Sequence, residues 1–114
     1  MTHDLPTLRR TEYARILQIV NNALRERSLG FPPQFLLREV RQRIDQGPIE
    51  GMPTREQAGH IRQIRDRVLA LCDEMLAEVR SGHVDPLRKL ALTVDHWAIE
   101  DFTRGRGPGD GGGH

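Results

Sequence analysis

Chemistry in a small protein needs a nucleophile, an acid–base pair or convergent metal ligands, and few residues here are of those types. The single cysteine, Cys72, would serve as a nucleophile beside a histidine or a cluster of cations that lowered its pKa. It sits instead in an apolar row with Leu69, Leu71 and Leu76, where a free cysteine packs as a small hydrophobe. Core packing is therefore the favoured reading of Cys72.

Of the five histidines, His3 and His114 lie near the ends and His83 in a short turn, leaving His60 and His96 on helical stretches. His96 and Glu100 are four apart, so they share a helical face and could give a metal two ligands. Zinc and bundle di-iron sites take three or four at fixed spacings, and neither H-E-x-x-H nor Glu-x-x-His occurs. Solvated helix surface explains the pair better. The carboxylate pairs Asp73-Glu74 and Glu100-Asp101 are sequence neighbours, so their side chains diverge by about 100° within a helix. The run GRGPGDGGG follows the last helical stretch instead of opening one, so it is no phosphate loop. Its two arginines lack the aromatics of an RGG-type nucleic-acid segment. No catalytic, cofactor-binding or metal-binding residue is assigned, and no cofactor is expected.

Arginine is the remaining candidate. Lys89 is the only lysine among 17 basic residues. A GC-rich genome would produce that bias, as would selection for bidentate recognition of carboxylate or phosphate. The charge is unevenly placed. Residues 1–70 carry 12 arginines and 8 acids, and residues 71–102 carry three basic residues and seven acids. Within the stretch 54–81 the basic half (Arg55, Arg62, Arg65, Arg67) precedes the acidic half (Asp73, Glu74, Glu78), which opposes the helix dipole. Pairing with neighbouring helices would account for this split. So would two copies of that helix lying antiparallel across a two-fold axis.

The elements that position these residues read as helices. Aromatics are 4% of the 114 residues, so the core is aliphatic, which favours helix packing over a sandwich. One cysteine excludes an intramolecular disulfide. A first helix, capped by Thr7 or Thr11 after a frayed entry, runs to about Leu29 with Gly30 as its left-handed stop. Pro33 opens a second helix through Gln46 that buries Phe35, Leu36, Leu37, Val40 and Ile44. In the connector GPIEGMP, Ile49 and Met52 are expected to fold over the core. Thr54 and Gln57 match a capping box for the third and longest helix. Its apolar arc widens after Val68, which places the centre of the core at residues 68–79. Gly82 ends it. Asp85 and Pro86 begin a fourth helix with Leu87, Leu90, Ala91, Val94, Ala98 and Phe102 on one face.

The expectation is an all-α, four-helix up-and-down bundle with two long and two shorter helices, the second of them short and irregular. One domain spans 1–102 and a flexible Gly-rich tail spans 103–114. No apolar run is long enough for a membrane span and the start lacks a signal-peptide core, so a cytoplasmic location is expected. The leading function is a non-enzymatic protein-interaction module or accessory subunit of a larger bacterial-type complex. It would bind another protein or itself through exposed Arg38, Arg41, Arg62 and Arg65. The alternative is nucleic-acid binding by the arginine-rich faces of the first two helices, although the seven-residue connector is long for a helix-turn-helix. An enzyme with a site between helices ranks third.

Overall fold

The computed structural model describes residues 4–49, 51, 53–80 and 85–110, with side chains described as far as Thr103. It contains four helices and, among the described residues, no strand: α1 (Leu5–Ser28), α2 (Pro33–Gln46), α3 (Arg55–Arg80) and α4 (Pro86–Asp110). They close a ring in chain order, with α1 packed most extensively on α4 and α2 on α3. The α1–α3 diagonal also makes contact, whereas α2 barely reaches α4. The chain is an all-α four-helix bundle.

The helix ends follow local chemistry, with one correction. Neither Thr7 nor Thr11 caps α1. Asp4 does, its carboxylate accepting the Thr7 N–H at 3.2 Å, and residues 5 and 6 are already helical. Pro6 is tolerated there because a first-turn residue has no intrahelical acceptor for the N–H that proline lacks. At the other end Gly30 takes φ 103°. The Phe31 N–H then reaches the Glu26 carbonyl at 3.3 Å and the Gly30 N–H reaches that of Arg27 at 3.0 Å. That bond pair is a Schellman closure, and its positive φ suits glycine.

The capping box at Thr54 forms as expected. The Gln57 N–H donates to Thr54 Oγ1 at 3.1 Å, and the Thr54 N–H donates back to Gln57 Oε1 at 2.9 Å. Asp85 caps α4 by accepting the Arg88 N–H at 3.2 Å. Lengths differ from expectation in that α4, at 25 residues, is as long as α1 and α3. The expected tail, 103–114, falls mostly on residues whose side chains lie outside the described set.

The core is aliphatic. Ile16, Val20, Leu37, Ile44, Val68, Cys72, Leu87, Leu90 and Val94 have no exposure to solvent. Each large aliphatic group removed from water contributes about 1.5–3 kcal/mol. The α3 helix contacts all three other helices and buries Val68, Leu69, Leu71, Cys72 and Met75 in this core, and Ile49 packs against it from the connector. Met52 and Gly82 lie outside the described residues. Two expected core residues do not belong to it: Phe35 is 47% and Phe102 42% exposed.

Thr54 joins both halves of its capping box, so Thr54→Ala should cost about 1 kcal/mol. Thermal unfolding should show a midpoint lower by about 4 °C; an unchanged midpoint would show that the cap contributes nothing.

Candidate functional site

The most elaborate polar site is buried. Arg65 on α3 is 1% exposed and Glu12 on α1 is 3% exposed. The guanidinium grips the carboxylate with two donors, Nε to Oε2 at 2.7 Å and Nη2 to Oε1 at 3.2 Å. Its other donors go to backbone: Nη2 to the Pro48 carbonyl at 2.8 Å and Nη1 to that of Gly47. Arg15 completes the arrangement. It donates to Glu12 Oε2 at 3.1 Å and to the carbonyls of Arg43 and Ile44 at 2.7 and 3.3 Å. Two arginines thus occupy the carbonyls at the end of α2 and just beyond it, where no helical amide is left to do so. A Cβ on Gly47 would collide with the Arg15 guanidinium. A side chain there would displace that guanidinium from the Arg43 and Ile44 carbonyls, while the backbone itself, at φ −67°, makes no demand for glycine.

Arg65 therefore cannot be an exposed partner contact, as the sequence suggested. Every buried side-chain N or O among the described residues has a hydrogen-bond partner, so the network is a satisfied structural unit. Sequence reading passed over Glu12 altogether. A signal was present: Glu12 falls four after Leu8 and four before Ile16, and Arg65 four after Ile61 and four before Leu69. Opposite charges interrupting the apolar stripes of two helices imply that they meet inside.

The other three expected contacts lie on the surface. Arg38 is exposed and makes no ion pair or hydrogen bond among the described residues. Arg41 pairs with Asp73 at 2.9 Å, and Arg62 with Asp45 at 3.2 Å and Asp66 at 3.9 Å. Much of the charge split is spent in the same way. Arg9–Asp101, Arg27–Asp85 and Arg41–Asp73 each join the basic part of the chain to the acidic part. Arg9 holds both Asp101 oxygens at 3.0 Å from Nε, and that hydrogen bonding raises its pKa above the ordinary value.

Cys72 is fully buried, and burial, reinforced by nearby Asp73, pushes its thiol up to about 12. It packs in the core as expected and has no thiolate at neutral pH. His96 faces Glu100 at 3.4 Å on the open side of α4. Among the described residues no group of three His, Cys, Asp or Glu could hold a metal ion. His3, His83 and His114 lie outside the described residues, and no helix is long and apolar enough to cross a membrane.

Leu92, Ile99 and Phe102 leave apolar groups exposed on α4, and two further surface features stand out. At the α1–α2 corner, Leu29 (78% exposed) adjoins Phe31 and Phe35, whose rings stack at 6.2 Å between centroids and 22° between planes. Between α1 and α3, a cleft of about 180 Å³ is lined by Arg9, Tyr13, Gln63, Ile64 and Arg67. The Arg67 guanidinium beside it lies 3.8 Å from the Trp97 ring centroid. These features define a small helical bundle that is stapled internally by arginines and carries one aromatic corner and one basic cleft. Comparison with family models, curated proteins and solved structures finds no match to this chain.

Removing one partner of the buried pair should be severe. Arg65→Met leaves a buried carboxylate short of donors and should lose about 3–5 kcal/mol in urea unfolding, whereas adding Glu12→Leu should restore much of it. A single variant as stable as the parent would refute the network's role. The Cys72 thiol keeps its proton in the fold to about pH 12, against an ordinary value of 9.0. Its contribution to stability is therefore complete below about pH 9 and is lost as pH rises from there. Unfolding at stepped pH should show that alkaline decline shrinking in Cys72→Ala; identical profiles would contradict the burial effect.

Proposed function

We propose that this chain is a non-enzymatic interaction module, an accessory subunit that docks on another protein through the α1–α2 corner. The observation that carries the reading is the exposed Phe31–Phe35 stack with Leu29 beside it. Large apolar groups left in water cost solubility and are held at a surface when a partner covers them. Aromatic side chains are also the usual anchors of interfaces, since they bury much area for little lost freedom. The corner is preorganised: the closure at Gly30 and the two prolines at 32 and 33 fix its backbone, which lowers the ordering cost of binding. Arg38, one turn after Phe35 and without an internal partner, adds a cation to its edge. The fitting partner has an apolar recess with a carboxylate at its rim.

Self-association through α3 finds less support. Of its basic half Arg62, Arg65 and Arg67 are engaged by Asp45, Asp66, Glu12 and Trp97, and of its acidic half Asp73 and Glu78 pair with Arg41 and Lys89, which leaves Arg55 and Glu74. The same pairing leaves fewer cations for phosphates, which weighs against nucleic acid. The absence of convergent catalytic groups among the described residues leaves the enzyme reading without chemistry.

A pull-down from the native host should capture a stoichiometric protein with the parent chain and lose it with Phe31→Ser/Phe35→Ser, while the circular dichroism of the variant stays helical. An empty pull-down with monomeric bait, or a partner that the double variant retains, refutes the reading. Retention on heparin above physiological salt would move the assignment to nucleic acid.

A further inference from the structure

We infer that the cleft between α1 and α3 is a binding site for a carboxylate carried on a single aromatic ring. This goes beyond the docking role of the α1–α2 corner and does not depend on it. Two pairs four residues apart build the site: Arg9 and Tyr13 on α1, and Gln63 and Arg67 on α3, with Ile64 below. Residues at that spacing stand one above the other on a helix face, so the two pairs make facing walls.

The donors converge and are in part unspent. Arg67 lies over Trp97 and makes no ion pair or hydrogen bond among the described residues. Stacking holds a guanidinium by its face and leaves its in-plane N–H groups pointing outward, as a bidentate acceptor requires. Arg9 uses Nε and Nη2 on Asp101, which leaves Nη1 available. The Gln63 amide offers two more donors. Asp101 is neutralised by Arg9, and the lining holds no acid, so Arg67 leaves it net positive. The Tyr13 ring and Ile64 supply apolar wall. A cavity of about 150 Å³ holds one benzene ring, so about 180 Å³ suits a ring bearing a carboxylate. A free arene acid and a peptide ending in phenylalanine present the same chemistry.

Trp97 is the only tryptophan, so its indole N–H resonance reports on the Arg67 stack. Titration of the full chain with benzoate should shift that resonance saturably, and neutral benzamide should not. Arg67→Gln and Gln63→Glu, both at exposed positions, should each weaken binding by about tenfold or more with helicity unchanged. N-acetylphenylalanine binding tighter than benzoate would point to a peptide terminus, and weaker binding to a free acid; either supports the site. No saturable shift at millimolar benzoate, an equal response to benzamide, or unchanged affinity in both variants overturns it.

Discussion

The rest of the structure depends on one buried ion pair, Glu12 with Arg65. Taking two charges out of water costs several kcal/mol each, and a single salt contact does not recover that. The geometry recovers it by satisfying nearly every donor and acceptor. Both carboxylate oxygens are held, and four of the five guanidinium N–H directions find acceptors on Glu12, Gly47 and Pro48. The consequence is positional. A purely apolar interface tolerates sliding of one helix along another, because area changes little with register. A bidentate pair does not. Glu12 and Arg65 therefore set how α1 and α3 align, and the carbonyls of Gly47 and Pro48 bring the α2–α3 connector to the same point. Arg15 then fixes the end of α2 against α1. Three helices and one loop share a single register device.

That device also explains why the connector is long and rich in glycine and proline. Its backbone must turn so that successive carbonyls face inward towards two guanidinium groups, an orientation that a continuing helix could not give. Gly47 has no side chain because Arg15 fills the space where one would stand. Pro48 has no N–H to leave unsatisfied in the same cramped region. The composition that marked residues 47–53 as a mere break in the sequence is the composition that a carbonyl-presenting turn requires.

Much of the fold was legible because helix ends and stripes are local. The capping box at Thr54, the stop at Gly30, the start at Pro33 and the cap at Asp85 each depend on residues within five positions of one another. The structure shows each as the sequence implied. Asp4 was missed because Pro6 looked like a breaker when it was a first-turn residue. Arg65 and Phe35 were misplaced for a different reason. Residue type put Arg65 outside and Phe35 inside, while position within the helix did the opposite. Burial of Arg65 is stabilised by Glu12, 53 residues away in sequence, so its place in the apolar stripe of α3 has meaning only when read together with the stripe of α1. Exposure of Phe35 depends on the two-proline turn carrying the start of α2 past the rim of the core, which is again a tertiary fact. The candidate sites were less legible than the fold, since each combines residues from separate helices.

The arginines show how a composition can mislead about function and then inform it. By residue type alone they suggested exposed contacts to a protein partner, with nucleic acid as the alternative. Placed in the fold, they divide by what already holds them. Arg15 and Arg65 are consumed by carbonyls and a buried acid, and Arg9, Arg27, Arg41 and Arg62 by carboxylates of other helices. A guanidinium so engaged must break a contact before it can make another, and the cost of the first is deducted from the second. Among the described residues the side chains of Arg10, Arg38, Arg55, Arg67, Arg80 and Arg88 make no ion pair or hydrogen bond. Of these, Arg38 stands one turn from the exposed Phe35, and Arg67 lies over the Trp97 ring. Fixed orientation with unsatisfied donors is the condition under which a charged group contributes most to recognition. The α1–α2 corner and the cleft are thus surfaces that intramolecular pairing left open.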